Sequence, residues 1–412
     1  MAVMLTMNNK KICIVTYRLG VGNGVGGRRW SRYGRELIRK GYEVTFLTFE
    51  QGLAAELGSS QVIRLTSSYP DVLRSYPRTL VGKLSYRFYT RFLKKRVPGT
   101  IYDEAVRDEK ILTSALRNVL QRQGGGAVIV SGAPFSLLYH TIALKKEFSG
   151  TRFICDLRDA WTWGTHYGFA GLDGDRMHFE REKEELVFHT SDRILCASED
   201  LKKHIDRAVA DPSKVSVLVN TVDCENMQVM DQKKKGGPVL FVHAGSVNKG
   251  TEKYWIAFLR ALAGARDRGA APFMLRFIGC ANPKVHEFAA KYGFSFVDFV
   301  AYKPEEQLKK ELNEADFLCF FKHDDFPHSF PTKFLDYICA RRPVLAFTAR
   351  GQVSTEIENN RLGFVFNDSI TTHDILGLLE QAKNGDLVFN NSYDPSRFTT
   401  AGNVGVIEAA LA

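Results

Sequence analysis

Residues 325–346 read DFPHSFPTKFLDYICARRPVLA, and the interpretation of the whole chain turns on them. The stretch divides into a loop rich in proline and histidine, a short amphipathic helix opening near Thr332, and a buried apolar strand, Pro343 to Phe347. Thr332 suits an N-cap, which puts Lys333 in the first helical turn. There the unpaired backbone amides and the helix dipole already favour an anion, so a cation is locally unfavourable until an anion joins it. Asp336 falls one turn on, on the same face, where it can accept hydrogen bonds from ligand hydroxyls. Phosphate at the helix start with sugar hydroxyls beside it describes a nucleotide pocket. The competing reading is a capped amphipathic helix carrying a solvated lysine.

Working back from this stretch, the second half of the chain alternates strands and helices. Strand Val239 to Ala244 runs into Gly245-Ser246-Val247-Asn248-Lys249-Gly250 and then a helix from about Thr251. Gly245 at the strand exit permits close approach of a phosphate, and Lys249 supplies a second cation. Strand Phe273 to Ile278, helix Pro283 to Tyr292, strand Phe294 to Val300, helix Pro304 to Glu314 and strand Phe317 to Phe321 then lead into the quoted residues. Strand Gly363 to Phe366, helix Thr372 to Lys383 and a helical end follow.

The first half opens as a βαβ unit: strand Lys11 to Tyr17, the loop RLGVGNGVGG (Arg18 to Gly27), a helix from about Arg28 to Lys40, and strand Glu43 to Phe49. Gly22, Gly24 and Gly27 match G-x-G-x-x-G, and Glu50 stands where a dinucleotide enzyme places its ribose-binding acid. That supports an NAD(P)-dependent oxidoreductase as an alternative, although Arg18 to Val21 intervene before the first matching glycine. Further on, strand Arg152 to Cys155 ends in Asp156-Leu157-Arg158-Asp159-Ala160-Trp161. Polar residues beyond a strand's C-terminal end face the ligand crevice of an open α/β sheet. Asp159 is the candidate acceptor-facing group, Trp161 a candidate sugar platform. Asp156 and Arg158 equally fit a structural ion pair. Trp161 to Asp175 reads as a loop able to close over substrate.

Residues 67–108 mix lysines and arginines with aromatics. Such a mixture suits an anionic membrane, a lipid-linked acceptor or single-stranded nucleic acid, and no nucleic-acid motif accompanies it. The other reading is a solvated helix face with its aromatics turned to the core. At 412 residues the chain exceeds what one core usually supports, and its net charge of +10 favours acidic partners. Cys13, Cys155, Cys196, Cys280, Cys319 and Cys339 lie in or beside apolar runs with no C-x-x-C pair, which reads as reduced thiols in a reducing compartment. No signal segment or membrane-spanning run is evident, and no Walker A or G-x-S-x-G motif occurs. His323, Asp324, Asp325 and His328 crowd one loop, where a polar active-site loop is the expectation and a divalent ion the alternative.

The run Pro331, Thr332, Lys333, Asp336, Tyr337, Ala340, Pro343, Val344, Leu345 resembles the donor-binding helix of GT-B glycosyltransferases, in particular the retaining family four. The D-x-R-D-x-W run at Asp156 and the G-x-x-x-K-G run at Gly245 are similar to segments of the same family. Two departures stand out: His328 and Asp336 occupy positions where relatives carry a pair of glutamates, and Ser246 replaces an arginine. The resemblance implies an α/β chain of two Rossmann-like domains facing across a cleft. Residues 1–219 would form the acceptor-side domain, 220–237 the linker and 238–390 the donor domain, with 391–412 returning to the first domain. It implies a metal-independent, retaining hexosyl transfer from a nucleoside-diphosphate sugar to a glycan or lipid-linked acceptor, without a cofactor and without nucleic acid. The expected site comprises Gly26, Gly27, Gly245, Ser246, Lys249, His328, Pro331, Thr332, Lys333 and Asp336 for the donor. Asp156, Arg158, Asp159 and Trp161 stand on the acceptor side, with Asp159, Lys333 and Lys249 catalytic. The expected location is the cytoplasm, at the inner face of a membrane. A non-catalytic sugar- or membrane-binding protein of the same fold is the further alternative.

Overall fold

The computed structural model describes residues 10–20, 24–51, 57, 62–77, 79–164, 167–222, 237–324, 330–367 and 369–412. The chain divides into two compact units, Met1–Asn220 with Thr400–Ala412, and Thr221–Thr399.

The first unit is built on a seven-stranded parallel sheet of order β3-β2-β1-β4-β5-β6-β7. Its strands are β1 (Lys11–Leu19), β2 (Glu43–Gln51), β3 (Val62–Arg64), β4 (Gly126–Gly132), β5 (Thr151–Leu157), β6 (Arg193–Cys196) and β7 (Val215–Val217). Strand β1 reads as a near-continuous apolar run because helices cover both faces of the sheet. Ile12 and Ile14 join one apolar cluster with Trp30, Tyr33 and Leu37, while Cys13, Val15 and Tyr17 join the other with Leu112 and Phe153. This is the two-residue period of a strand. Helices α1 (Gly24–Arg39), α2 (Leu80–Lys94), α3 (Glu109–Gln123), α4 (Ser136–Ile142), α5 (Gly174–Thr190) and α6 (Glu199–Ala208) connect the strands. Helix α1 lies so close to the sheet that a Cβ on Gly34 would stand 2.2 Å from Phe46 Cζ. The C-terminal helix, Thr400–Leu411, completes this cluster with Val404, Ile407, Ala410 and Leu411, and is tied down by Arg152 Nη1 to Ala410 O at 3.2 Å and Lys40 to Glu408 at 2.9 Å.

The second unit holds a six-stranded parallel sheet of order β10-β9-β8-β11-β12-β13. The strands are β8 (Val239–Ala244), β9 (Phe273–Ile278), β10 (Val297–Val300), β11 (Phe317–Phe321), β12 (Val344–Phe347) and β13 (Gly363–Phe366). The helices are α7 (Glu252–Asp267), α8 (Pro283–Lys291), α9 (Glu305–Glu314), α10 (Thr332–Cys339), α11 (Gln352–Asn360) and α12 (Thr372–Asn384). Its core is aromatic: Phe241 stacks on Phe317 with centroids 5.2 Å apart, and Phe321 on Phe347 at 4.9 Å. In both units the strand order reverses beside the first strand, between β1 and β4 and between β8 and β11. Open α/β sheets bind ligands beyond the strand ends at such a reversal.

Several local expectations need correction. Helix α1 starts at Gly24 rather than Arg28, so Gly26 and Gly27 lie in its first turn; Gly22 and Asn23 fall outside the described residues. The N-cap of α10 is Pro331, extended at φ −68° and ψ 140°, and Thr332 is the first helical residue without a side-chain cap bond. Helix α2 departs from the solvated-face reading: Tyr86, Tyr89 and Phe92 do pack inward, but Leu80, Val81, Leu84 and Phe88 face out. In α5 the inward face carries Glu180, Lys183 and Glu184 beside Val187 and Phe188, so charge sits where apolar residues are expected. Residues 391–399 belong to the second unit, and residues 223–236 of the expected linker lie outside the described part. Cys13, Cys155, Cys196, Cys280 and Cys319 are free and buried, but Cys339 is disulfide-bonded, so the cysteines do not by themselves mark a reducing compartment. Among the described residues no helix is long and apolar enough to cross a membrane.

Candidate functional site

In the second unit the loop after β8 and the start of α10 meet through Lys333. Gly245 adopts φ 79°, a left-handed conformation that suits glycine, and a Cβ there would stand 3.3 Å from Lys333 Cε. Lys333 Nζ donates to Ser246 O at 3.0 Å and lies 3.4 Å from His243 Nε2. The other ring nitrogen, Nδ1, sits 2.8 Å from Cys319 O. A carbonyl accepts only, so Nδ1 carries the proton and Nε2 presents a lone pair to the ammonium. Burial, then the Lys333 charge, holds His243 well below its ordinary range, so it stays neutral. Burial also brings Lys333 down to about 8, against the opposing pull of Cys280 and Asp336. Tyr337, one turn along α10, accepts from Ala244 N at 2.8 Å and donates to Cys319 O at 3.3 Å. The helix is thereby tied to both strands that flank the reversal.

The structure brings Gly245, Ser246, Thr332, Lys333 and half-buried Asp336 to one end of the sheet. Lys249 and Ser246 are exposed on the same loop, which is pinned by Thr251 Oγ1 to Asn248 O at 2.7 Å and Asn282 Nδ2 to Val247 O at 2.9 Å. His328 and Asp325 lie outside the described residues. Asp324 is engaged by Tyr254 Oη at 2.6 Å, Ala349 N at 3.0 Å and the Lys253 ammonium, so its carboxylate serves the fold. Among the described residues no cluster of histidine, cysteine and carboxylate groups is arranged to hold a metal ion.

In the first unit the D-x-R-D-x-W run separates into buried and accessible parts. Asp156 is fully buried and pairs with Arg29, not Arg158: Arg29 donates through Nη2 at 2.7 Å and Nε at 3.1 Å. Trp30 Nε1 and Ser131 Oγ complete its shell, each at 2.8 Å. Arg29 reaches on to Leu218 O at 2.6 Å and Asn220 Oδ1 at 3.1 Å, joining α1 to the end of the sheet. Burial works against the Arg29 charge, but Asp156 more than offsets it. Trp161 is likewise no sugar platform. It is buried, stacked on Phe135 at 4.9 Å, and its Nε1 donates to Glu180 at 3.2 Å. With Phe169 also buried, the expected closing loop is anchored at both points. Arg158 donates to Gly132 O at 3.1 Å and to Ala133 O, and its guanidinium fills the space a Gly26 side chain would occupy. Gly27 O accepts from Gly20 N at 3.0 Å and Ser31 Oγ at 2.7 Å. Asp159 is half-buried, with Tyr167 Oη 3.4 Å away, and is the partly accessible carboxylate of the run.

His243 and Arg29 hold these two clusters together and the sequence reading did not single them out; Tyr337 stood in the α10 run without a role. For His243 a signal existed, since a lone polar residue in the buried strand VLFVHA must find a partner. Glu50, the candidate ribose acid of the dinucleotide alternative, is bound instead by Arg18 at 3.0 Å and by Arg74.

Solved structures of similar fold cover almost the whole chain. The fold is that of the GT-B glycosyltransferases. The apo lipopolysaccharide outer core galactosyltransferase WaaB aligns with TM-score 0.55 and 13% identity over 97% of this chain and 99% of that one. HepE of Anabaena in complex with UDP-glucose aligns with TM-score 0.61 and 11% identity over 97% and 99%. The N-terminal domain of trehalose-6-phosphate phosphatase from Candida albicans aligns with TM-score 0.63 and 12% identity over 98% and 96%. No protein-family model matches the sequence, and no curated protein matches it significantly. At such identities the likeness establishes the fold, and activity has to be argued from the site.

Proposed function

We propose that the protein is a retaining glycosyltransferase that moves a hexosyl group from a nucleoside-diphosphate sugar to a hydroxyl of a glycan or lipid-linked acceptor in polysaccharide biosynthesis. The observation that carries this reading is Lys333, a half-buried cation in the first turn of α10, aimed at the glycine loop after β8. A helix start and an ammonium together make a site for a diphosphate. Two of the three Lys333 donor positions meet Ser246 O and His243 Nε2, leaving the third for a phosphate oxygen. Asp336 is placed to accept from ribose hydroxyls. The fold neighbour HepE is complexed with UDP-glucose, which makes UDP-sugars the first donors to screen.

In the proposed reaction the bond between the anomeric carbon and the diphosphate oxygen breaks as a bond to the acceptor oxygen forms on the same face. Negative charge builds on the departing diphosphate, and Lys333, Lys249 and the α10 amides stabilise it. These cations fill the part a metal would otherwise play. The leaving phosphate takes the acceptor proton. Asp159, in the first unit, orients the acceptor hydroxyl, while Asp156 only holds the scaffold. We place the enzyme in the cytoplasm, at the inner face of a membrane.

Calorimetric titration with UDP, GDP and NAD, repeated on Lys333→Ala, tests the reading. Binding of a nucleoside diphosphate that the substitution weakens roughly tenfold, about 1.4 kcal/mol, is expected. NAD binding indifferent to Lys333 would overturn it.

A further inference from the structure

Helix α2 carries its most apolar stripe on the outside. Leu80 is 80% exposed, Val81 78%, Leu84 66% and Phe88 65%. At 100° per residue they occupy one sector roughly 100° wide. The opposite sector, with Tyr86, Tyr89 and Leu93, packs on Tyr69, Leu73, Val97 and Ile101, so the helix is already seated. Its start is fixed as well, since Thr79 Oγ1 accepts from Gly82 N at 3.1 Å. The outward stripe is therefore not spare core surface. It amounts to on the order of 500 Å² on a rigid element, at the size where exposed patches usually have a role.

Along one edge of this stripe run Lys83, Arg87 and Lys94, Arg91 falls just inside that edge, and residues 80–96 contain no carboxylate. We propose that this face of α2 docks the protein on an anionic phospholipid bilayer, the aliphatic and aromatic side chains entering the headgroup boundary and the cations meeting lipid phosphates. Apolar insertion flanked by basic residues is how interfacial helices bind such surfaces. A second copy of this chain fits less well, because a two-fold pairing of the stripe would set one row of cations against another. Single-stranded nucleic acid fits less well too, because it needs aromatic stacking platforms and the stripe is mainly aliphatic. The proposal stands on this surface alone and does not depend on the transferase reading. If both hold, the acceptor belongs to the lipid-linked class.

The test is co-sedimentation of the full chain with vesicles of phosphatidylcholine alone or mixed with phosphatidylglycerol. The wild type is expected to partition onto the mixed vesicles and to be released by salt. The double variant Leu84→Glu, Phe88→Glu should lower partition at least tenfold, and Arg87→Glu with Arg91→Glu similarly, at about fivefold or more per residue. All three proteins should melt at the same temperature, since these side chains point away from the core. Failure of the wild type to bind mixed vesicles, or equal binding by the Leu84/Phe88 variant, overturns the proposal. So does a dimer in sedimentation velocity that the same variant dissociates while vesicles capture neither protein.

Discussion

Lys333 Nζ stands 3.4 Å from Nε2 of His243, a neutral imidazole whose Nδ1–H is committed to Cys319 O at 2.8 Å. The ring is thus a fixed acceptor that holds the ammonium over the β8 loop. Replacing it by phenylalanine keeps the volume but removes the acceptor for Lys333 and one of the two side-chain donors to Cys319 O, leaving Tyr337 Oη as the other. His243→Phe is expected to cost about 0.5–1.5 kcal/mol of stability and to weaken nucleoside-diphosphate binding several-fold. His243→Gln, which can both donate and accept, should recover part of the binding. Urea unfolding and calorimetry on both variants check this.

The depressed Lys333 pKa gives diphosphate binding a pH dependence. With the group titrating near 8, it is charged below that value and progressively neutral above it. Affinity should be flat from pH 6.5 to 7.5 and fall above pH 8, by up to about tenfold per unit. In Lys333→Arg, which keeps its charge, the fall should disappear. Binding measured at pH 7, 8 and 9 decides the point.

Asp156 and Asp159, three residues apart, are expected to fail in different ways. Asp156→Ala leaves Arg29 charged and buried, and should destabilise the first unit by about 3–5 kcal/mol. Asp159→Asn should leave the melting temperature within a degree or two while lowering transfer to the acceptor. Donor binding should be unchanged in the latter. A paired melt and turnover assay separates the two.

Glu184 lies on the inner face of α5, where burial raises its pKa to about 7 despite hydrogen bonds from Thr162. A raised carboxyl pKa means the folded state holds a proton that the unfolded chain releases. Stability is therefore full below about pH 4.5 and is lost as pH rises through 7. Glu184→Gln should remove this slope, a difference of at most about 3 kcal/mol between pH 4.5 and 8. Denaturant unfolding of the two proteins across that range measures it.

Trp161→Ala provides a further check on the acceptor side. As a core residue stacked on Phe135, it should cost about 3–5 kcal/mol on truncation. A sugar platform would instead lose acceptor affinity at unchanged stability, which the same melts would reveal.

The sequence by itself determined the two α/β series, most strand positions and the Gly245–Lys333 pairing of glycine loop with helix start. These depend on local matters: apolar runs that must be buried, and the chemistry of a helix's first turn. The tertiary structure decided which of several suitable side chains do the work. The run itself offers Arg158 as the partner of Asp156, and only the fold supplies Arg29, 127 residues before Asp156, which takes that carboxylate out of solvent. Lys333 acquires its depressed pKa from burial and its orientation from His243, 90 residues away. Helices α2 and α5 depart from a periodicity reading because one turns apolar residues outward and the other turns ionic residues inward. The environment of a side chain is set by partners distant in the chain, and hydrophobic patterning records only the average face.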